Sequence, residues 1–210
     1  VWLGPEARPG RFREEASRFR MLHLATHSHA DDRLGDYSYL ASSNTGELLP
    51  AKDLYQFSLA ADMVVLSACE TSSGKLLRGE GIIGLVRAFI YSGARSVVAS
   101  LWVANDRSTA DLMVAFYRNL QNGMAKDVAM KAARVQMMDQ SPAEAHPFFW
   151  AGFRVFGATF SRDSSLMPSP NGRRRFSEEA CVQAPDRTRI MRGMETKWLE
   201  DFVSLAETRS

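Results

Sequence analysis

His27 and Cys69 are the side chains in this 210-residue sequence whose types and settings combine into a reaction. A thiolate attacks carbonyl carbon, and an imidazole beside it promotes thiolate formation and carries the proton. Cys69 lies in Ser67-Ala68-Cys69-Glu70-Thr71-Ser72-Ser73-Gly74, a polar, turn-forming stretch directly after an apolar run. A free cysteine is otherwise most often a core residue, so this polar setting is what distinguishes it. Cys181 sits in a charged stretch with no comparable surroundings. His23, inside an apolar run, reads as a packed core histidine, and His146, before Pro147, as the stabiliser of a turn.

Both reactive residues follow segments expected to be buried strands. Met21–Thr26 precedes His27, and Asp62–Ala68, β-branched and apolar on both faces, precedes Cys69. Ser96–Trp102 and Phe153–Phe156 read as further strands. Between them, Ile82, Ile83, Leu85, Val86, Phe89 and Ile90 form a helical stripe closed at Gly93. Leu112, Met113, Phe116, Tyr117 and Leu120 form a second, opened near Asn105-Asp106 and closed at Gly123, and a third helix is predicted over 125–138. A crossover helix is expected near Leu49–Phe57. Alternating strands and helices predict an α/β fold with a mostly parallel sheet. Ligands of such sheets bind beyond the carboxyl ends of the strands, where His27 and Cys69 fall if their strands are neighbours.

Composition narrows the field without choosing a function. Lys and Arg total 26 against 24 Asp and Glu, so no basic footprint marks a nucleic-acid or membrane binder. No apolar run approaches a membrane span, and no signal-peptide core opens the chain. Two cysteines are too few for a disulfide scaffold, which predicts a reduced, cytoplasmic setting. Charge is uneven: the last 50 residues hold 17 charged residues and the first 160 hold 33. The expected division is therefore a working domain over 1–158 and a charged linker or tail over 159–210. That tail carries Pro168, Pro170 and Arg173-Arg174-Arg175, then a short amphipathic helical pattern from Trp198 to Ala206. The three arginines, beside Glu178-Glu179, read as a solvated linker.

Two rival motifs fail on their own chemistry. Thr26-His27-Ser28-His29-Ala30-Asp31-Asp32 approaches the H-x-H-x-D-H zinc signature of metallo-β-lactamase-like hydrolases, but its last position is Asp32 and downstream ligands are lacking. Cys69 through Leu76 mimics a phosphate-binding loop at Gly74-Lys75, yet lacks the first glycine and the Mg²⁺-binding hydroxyl. Gly79-Glu80-Gly81-Ile82-Ile83-Gly84 is better read as a tight helix entry than as a dinucleotide fingerprint. No metal or cofactor is expected.

The ordered motifs carry a family resemblance. His23-Leu24-Ala25-Thr26-His27, Leu66-Ser67-Ala68-Cys69-Glu70-Thr71 and Gly79-Glu80-Gly81 are followed by Gly93-Ala94-Arg95-Ser96-Val97, Ser100-Leu101-Trp102 and His146-Pro147-Phe148-Phe149-Trp150-Ala151. Together they resemble the CHAT domain, a caspase/separase-like cysteine peptidase family, over about residues 3–158. The resemblance implies a caspase-like αβα sandwich, and a chain that starts where it does is expected to lack the N-terminal strands of the full domain. It implies His27 as general base, Cys69 as nucleophile, and backbone N–H groups of Cys69 and Ser28 as oxyanion donors, Ser28 standing where the family commonly has Gly. An acidic wall of Asp31, Asp32 and Asp36 would favour a basic substrate residue; a solvated acidic loop is the alternative. The implied activity is endopeptidase cleavage of a protein substrate, regulated by an upstream or partner helical-repeat domain in a bacterial signalling or defence system. A protease-like interaction module with weak or absent catalysis is the competing expectation, and a metallo-β-lactamase-like zinc hydrolase a minor one.

Overall fold

The computed structural model describes residues 7–29, 31, 35–41, 46–67, 69–70, 80–102, 106–140, 145–160 and 188–192. Its strands are β1 (Met21–Ala25), β2 (His27–His29), β3 (Tyr39–Ala41), β4 (Leu48–Pro50), β5 (Met63–Leu66), β6 (Cys69–Glu70), β7 (Ser96–Ser100), β8 (Phe153–Gly157) and β9 (Thr188–Arg192). The helices are α1 (Pro9–Glu15), α2 (Ala51–Leu54), α3 (Glu80–Tyr91), α4 (Asp106–Gln121) and α5 (Lys126–Gln140). The main sheet runs β8-β7-β5-β1-β9 and a smaller one runs β4-β3-β2-β6. In the main sheet only the β7–β8 pairing is antiparallel.

Helices cover both faces of this sheet, so β5 and β7 are buried throughout, as the apolar run of β5 and the apolar centre of β7 require. Leu22, Leu24, Val64, Leu66, Val97 and Ala99 meet Phe12, Leu54, Leu85 and Phe89 on one side. Met63, Val65 and Val98 meet Leu112, Met113, Phe116, Met130 and Met137 on the other. The period-2 alternation of the strands thus assigns successive residues to two separate cores. This is the mostly parallel αβα sandwich expected from the sequence.

Local signals explain the helix ends. At Gly93 (φ 105°), the glycine N–H donates to Ile90 O and the next N–H, of Ala94, to Phe89 O. At Gly123 (φ 81°), the same pair of bonds reaches Leu120 O and Asn119 O. Both are Schellman closures, which need a residue that accepts positive φ. Gly84 has a different reason: a Cβ there would lie 2.6 Å from Gly35 O and 2.7 Å from Gly35 Cα. It sits inside α3, not at the helix entry, and lets the 3₁₀ turn Gly35–Tyr37 press against the helix. Gly84→Ala should therefore destabilise the protein by about 1–3 kcal/mol in urea titrations, the range of an overpacking substitution.

The starts of three strands meet at one carboxylate. Arg20 Nη2 lies 2.9 Å from Asp62 Oδ2 and Arg95 Nη1 lies 3.1 Å from Oδ1. Arg20, Asp62 and Arg95 immediately precede β1, β5 and β7. Lys126 Nζ and Ser96 Oγ both donate to Asp62 O at 2.8 Å. Burial lowers the Lys126 pKa, partly opposed by Asp62.

Two features depart from the sequence expectations. The crossover helix near Leu49–Phe57 is only the single turn Ala51–Leu54, because Leu48–Pro50 is recruited as a strand and Pro50 marks the helix start. The connection from β1 to β5 also contributes the antiparallel strands β3 and β4 beside β2. In addition, β9 comes from the stretch read as a charged tail and pairs with β1 from Met21↔Thr188 to Ala25↔Arg192. The amphipathic pattern Trp198–Ala206 and the Arg173–Arg175 cluster lie outside the described residues.

Candidate active site

β1 and β5 are parallel neighbours, so the segments leaving them emerge at the same edge of the sheet. After one intervening residue, Thr26, the chain re-enters strand geometry as β2, and with two residues intervening after β5 it does so again as β6. There His27 pairs with Cys69 and Ser28 with Glu70 in parallel register. Cα atoms so paired are roughly 4.8 Å apart and lie on the same face of the sheet. The two residues singled out for their chemistry are thus brought together by backbone pairing. Every partner is 42 positions further along the chain, from Met21↔Met63 in the main sheet to His27↔Cys69 in the small one. The register passes through the break between the sheets without slipping.

His27 is half-buried, and among the described residues its Nδ1 is a buried atom without a hydrogen-bond partner. A buried imidazole nitrogen normally finds a partner, so an open one is an available proton acceptor or donor. β2 is held on its other side by β3, with His27 opposite Ala41 and His29 opposite Tyr39. The rings of His29 and Tyr39 stack at 5.0 Å, and Thr26 Oγ1 donates to Ala41 O, fixing the turn from β1 into β2.

The remaining expected residues are less concentrated. Ser28 is buried on an interior strand, flanked by Leu40 and Glu70, so its N–H is directed at a neighbouring strand. β6 is the edge of the small sheet as described and presents alternate backbone groups outward. Asp31 donates its backbone N–H to Ser38 Oγ at 3.0 Å. The Asp36 carboxylate accepts from Tyr55 Oη at 3.0 Å, on the turn packed against α3. Asp32 lies outside the described residues, as do Ala68 and 71–79. No three of His, Cys, Asp and Glu come together as metal ligands among the described residues.

The structure adds residues that the sequence left unassigned. His23, 1% exposed, is a packed core histidine as expected, but it is bonded at both ring nitrogens. Its Nδ1 lies 2.9 Å from Tyr117 Oη and its Nε2 2.6 Å from Ser67 Oγ. Burial lowers its pKa from 6.5 to about 3, so the ring is neutral at physiological pH. Burial likewise raises the phenol of Tyr117. At the carboxyl end of β7, Trp102 Nε1 donates to Phe148 O at 3.0 Å, and both rings are partly exposed. His146 Nδ1 accepts from Phe148 N at 3.2 Å, stabilising the 3₁₀ turn Pro147–Phe149 as its sequence position suggested.

A three-layer αβα sandwich with His and Cys at the carboxyl edge of adjacent parallel strands defines a caspase-like domain. Comparison with known families agrees: the CHAT domain profile matches residues 1–158, and the chain belongs to the CHAT domain family. Among curated proteins it is similar to tetratricopeptide repeat protein 28 of Mus musculus, 32% identical over 117 residues, which are 56% of this chain and 5% of that protein. Tetratricopeptide repeat protein 28 of Homo sapiens is 34% identical over 117 residues, with the same coverage of each chain. The chain thus spans about a twentieth of the length of these relatives. None of the helices among the described residues is long and apolar enough to cross a membrane.

Proposed function

We propose that this chain is a cysteine endopeptidase working through a Cys69–His27 dyad. The observation that carries the reading is the His27↔Cys69 strand pairing. In this mechanism His27 takes the thiol proton, and the Cys69 thiolate attacks the substrate carbonyl carbon. The tetrahedral intermediate collapses to a thioester as the protonated His27 gives its proton to the leaving amine. Water, deprotonated by His27, then attacks the thioester and releases the acid and the thiol. The Cys69 backbone N–H serves as one oxyanion donor where it is among the outward-facing groups of the edge strand. Ser28 serves as the second donor only if its N–H is not taken up by a neighbouring strand. Asp31, Asp32 and Asp36 would favour a basic substrate residue, and a peptide library cleaved without basic preference removes that part.

The relatives' name supports a helical-repeat domain as a partner; that it regulates a protein-cleaving domain in the cytoplasm is part of the same proposal. Both relatives are mammalian, so they add nothing to the expected bacterial signalling or defence setting. The interior position of Ser28 favours a second reading, an interaction module with weak catalysis.

A peptide carrying a thiol-reactive warhead separates the two. Labelling confined to Cys69, absent at Cys181 and lost in His27→Ala, is the expected result. Labelling indifferent to His27→Ala removes the dyad.

A further inference from the structure

The sequences of β1 (Met21-Leu22-His23-Leu24-Ala25) and β5 (Met63-Val64-Val65-Leu66) do not by themselves fix their register. A one-residue slip exchanges the two faces of the sheet and is resisted by packing. A two-residue slip keeps every side chain on its own face, and in β5 it replaces one buried apolar residue by another. It would nonetheless move Cys69 two positions away from His27. Besides the Arg20–Asp62 ion pair at the strand starts, one buried contact distinguishes these registers, and it is polar. His23 pairs with Val65, and its Nε2 reaches diagonally to Ser67 Oγ at 2.6 Å, while its Nδ1 meets Tyr117 Oη at 2.9 Å from α4. In any slipped register the ring would lose the serine and leave a buried nitrogen without that partner. Ser67 stands two residues before Cys69, and His23 four before His27, so the bond ties the two strands just ahead of the reactive pair. Buried polar networks of this kind add little net stability and much geometric definition.

We propose that His23 and Ser67, backed by Tyr117, are positioning residues that hold Cys69 opposite His27. The proposal rests on the peptidase reading. Its test uses the full chain carrying Cys181→Ser, so that Cys69 is the single thiol. The pH midpoint of iodoacetamide alkylation reports thiolate formation, and the warhead rate reports alignment. Ser67→Ala is expected to raise the midpoint by about one pH unit toward the ordinary thiol value of about 8.5. The warhead rate should fall roughly 10- to 100-fold, as for a misplacement of about 1 Å. Ser67→Thr, which keeps the hydroxyl, should restore both. A residue that merely supports the fold would change the melting temperature without moving the midpoint of the folded fraction. If Ser67→Ala does not fold, Tyr117→Phe, which loses only the hydroxyl, is measured in its place, with a smaller shift in the same direction. A folded variant with unchanged midpoint and rate overturns the proposal while His27→Ala still abolishes labelling. Midpoint and rate unaffected by His27→Ala itself would overturn the peptidase reading, and this proposal with it.

Discussion

Peptide cleavage by this domain should fall about 10²–10⁴-fold in His27→Ala, the usual worth of a positioned general acid–base. Cys69→Ala should abolish it, because no acyl-enzyme can form without the sulfur. The double variant should be no worse than Cys69→Ala alone. Groups that act as one unit are strongly non-additive, since the base has nothing to deprotonate once the nucleophile is gone. The measurement is turnover of a peptide library, with circular dichroism to establish that each variant is folded. His27 is flanked by β3 and β6, so its replacement removes an imidazole without removing a strand. Undiminished turnover in His27→Ala would refute the dyad. Equal losses in His29→Ala, whose ring stacks on Tyr39, would trace the effect to the small sheet and away from the imidazole of His27.

The second large effect is on acid stability, through His23. Its folded pKa of about 3 lies below the unfolded value of 6.5. Between these values the unfolded chain binds a proton at this site that the folded chain does not. Stability therefore falls as the pH drops from 6.5 toward 3. At about 1.4 kcal/mol per pH unit, the contribution lost between pH 6.5 and pH 4 is about 3 kcal/mol. That is a large share of the stability of a domain this size. Urea midpoints measured across this range should decline in the native protein. In His23→Gln, which cannot titrate, the decline should flatten even though the variant starts from a lower stability. Parallel curves for the two proteins would show that other groups govern the acid limb. The effect is separate from catalysis, because His23 carries no charge at the pH where a thiolate forms.

The parts of the fold legible in the sequence are those whose residues all answer to one neighbour. β5 and β7 are apolar on both faces because helices cover both, and a run such as Met63–Leu66 has no other good solution. The closures at Gly93 and Gly123 were equally readable, since a left-handed residue after an apolar stripe is a local matter. The strands β2, β3 and β4 were not readable, because three residues are too few to show a period and their pairing is set by distant partners. β9 was missed for a related reason: two of its five residues are arginines, and only β1 beside it makes it a strand. His27 and Cys69 stood out by their polar settings at strand ends, but their pairing in register belongs to the folded sheet. The partners of His23 were invisible, since Ser67 and Tyr117 lie 44 and 94 positions away. The acidic residues show the reverse relation. Asp31, Asp32 and Asp36 cluster in sequence, yet Asp36 is committed to Tyr55 on a turn against α3.

The carboxylate of Asp62 gains a wider meaning beside the His23–Ser67 bond. β1 and β5 are fastened at their starts by Arg20 and Asp62 and near their ends by the imidazole and the serine. Two strands fastened at both ends resist being sheared past one another, because a slip has to give up both contacts. An input from a helical-repeat partner of the kind proposed above would therefore find little graded sliding to use in this part of the sheet. Control of the proposed His27–Cys69 pair would then act downstream of Ser67 or outward of Thr26, on the short strands β2 and β6, with the main sheet as the frame.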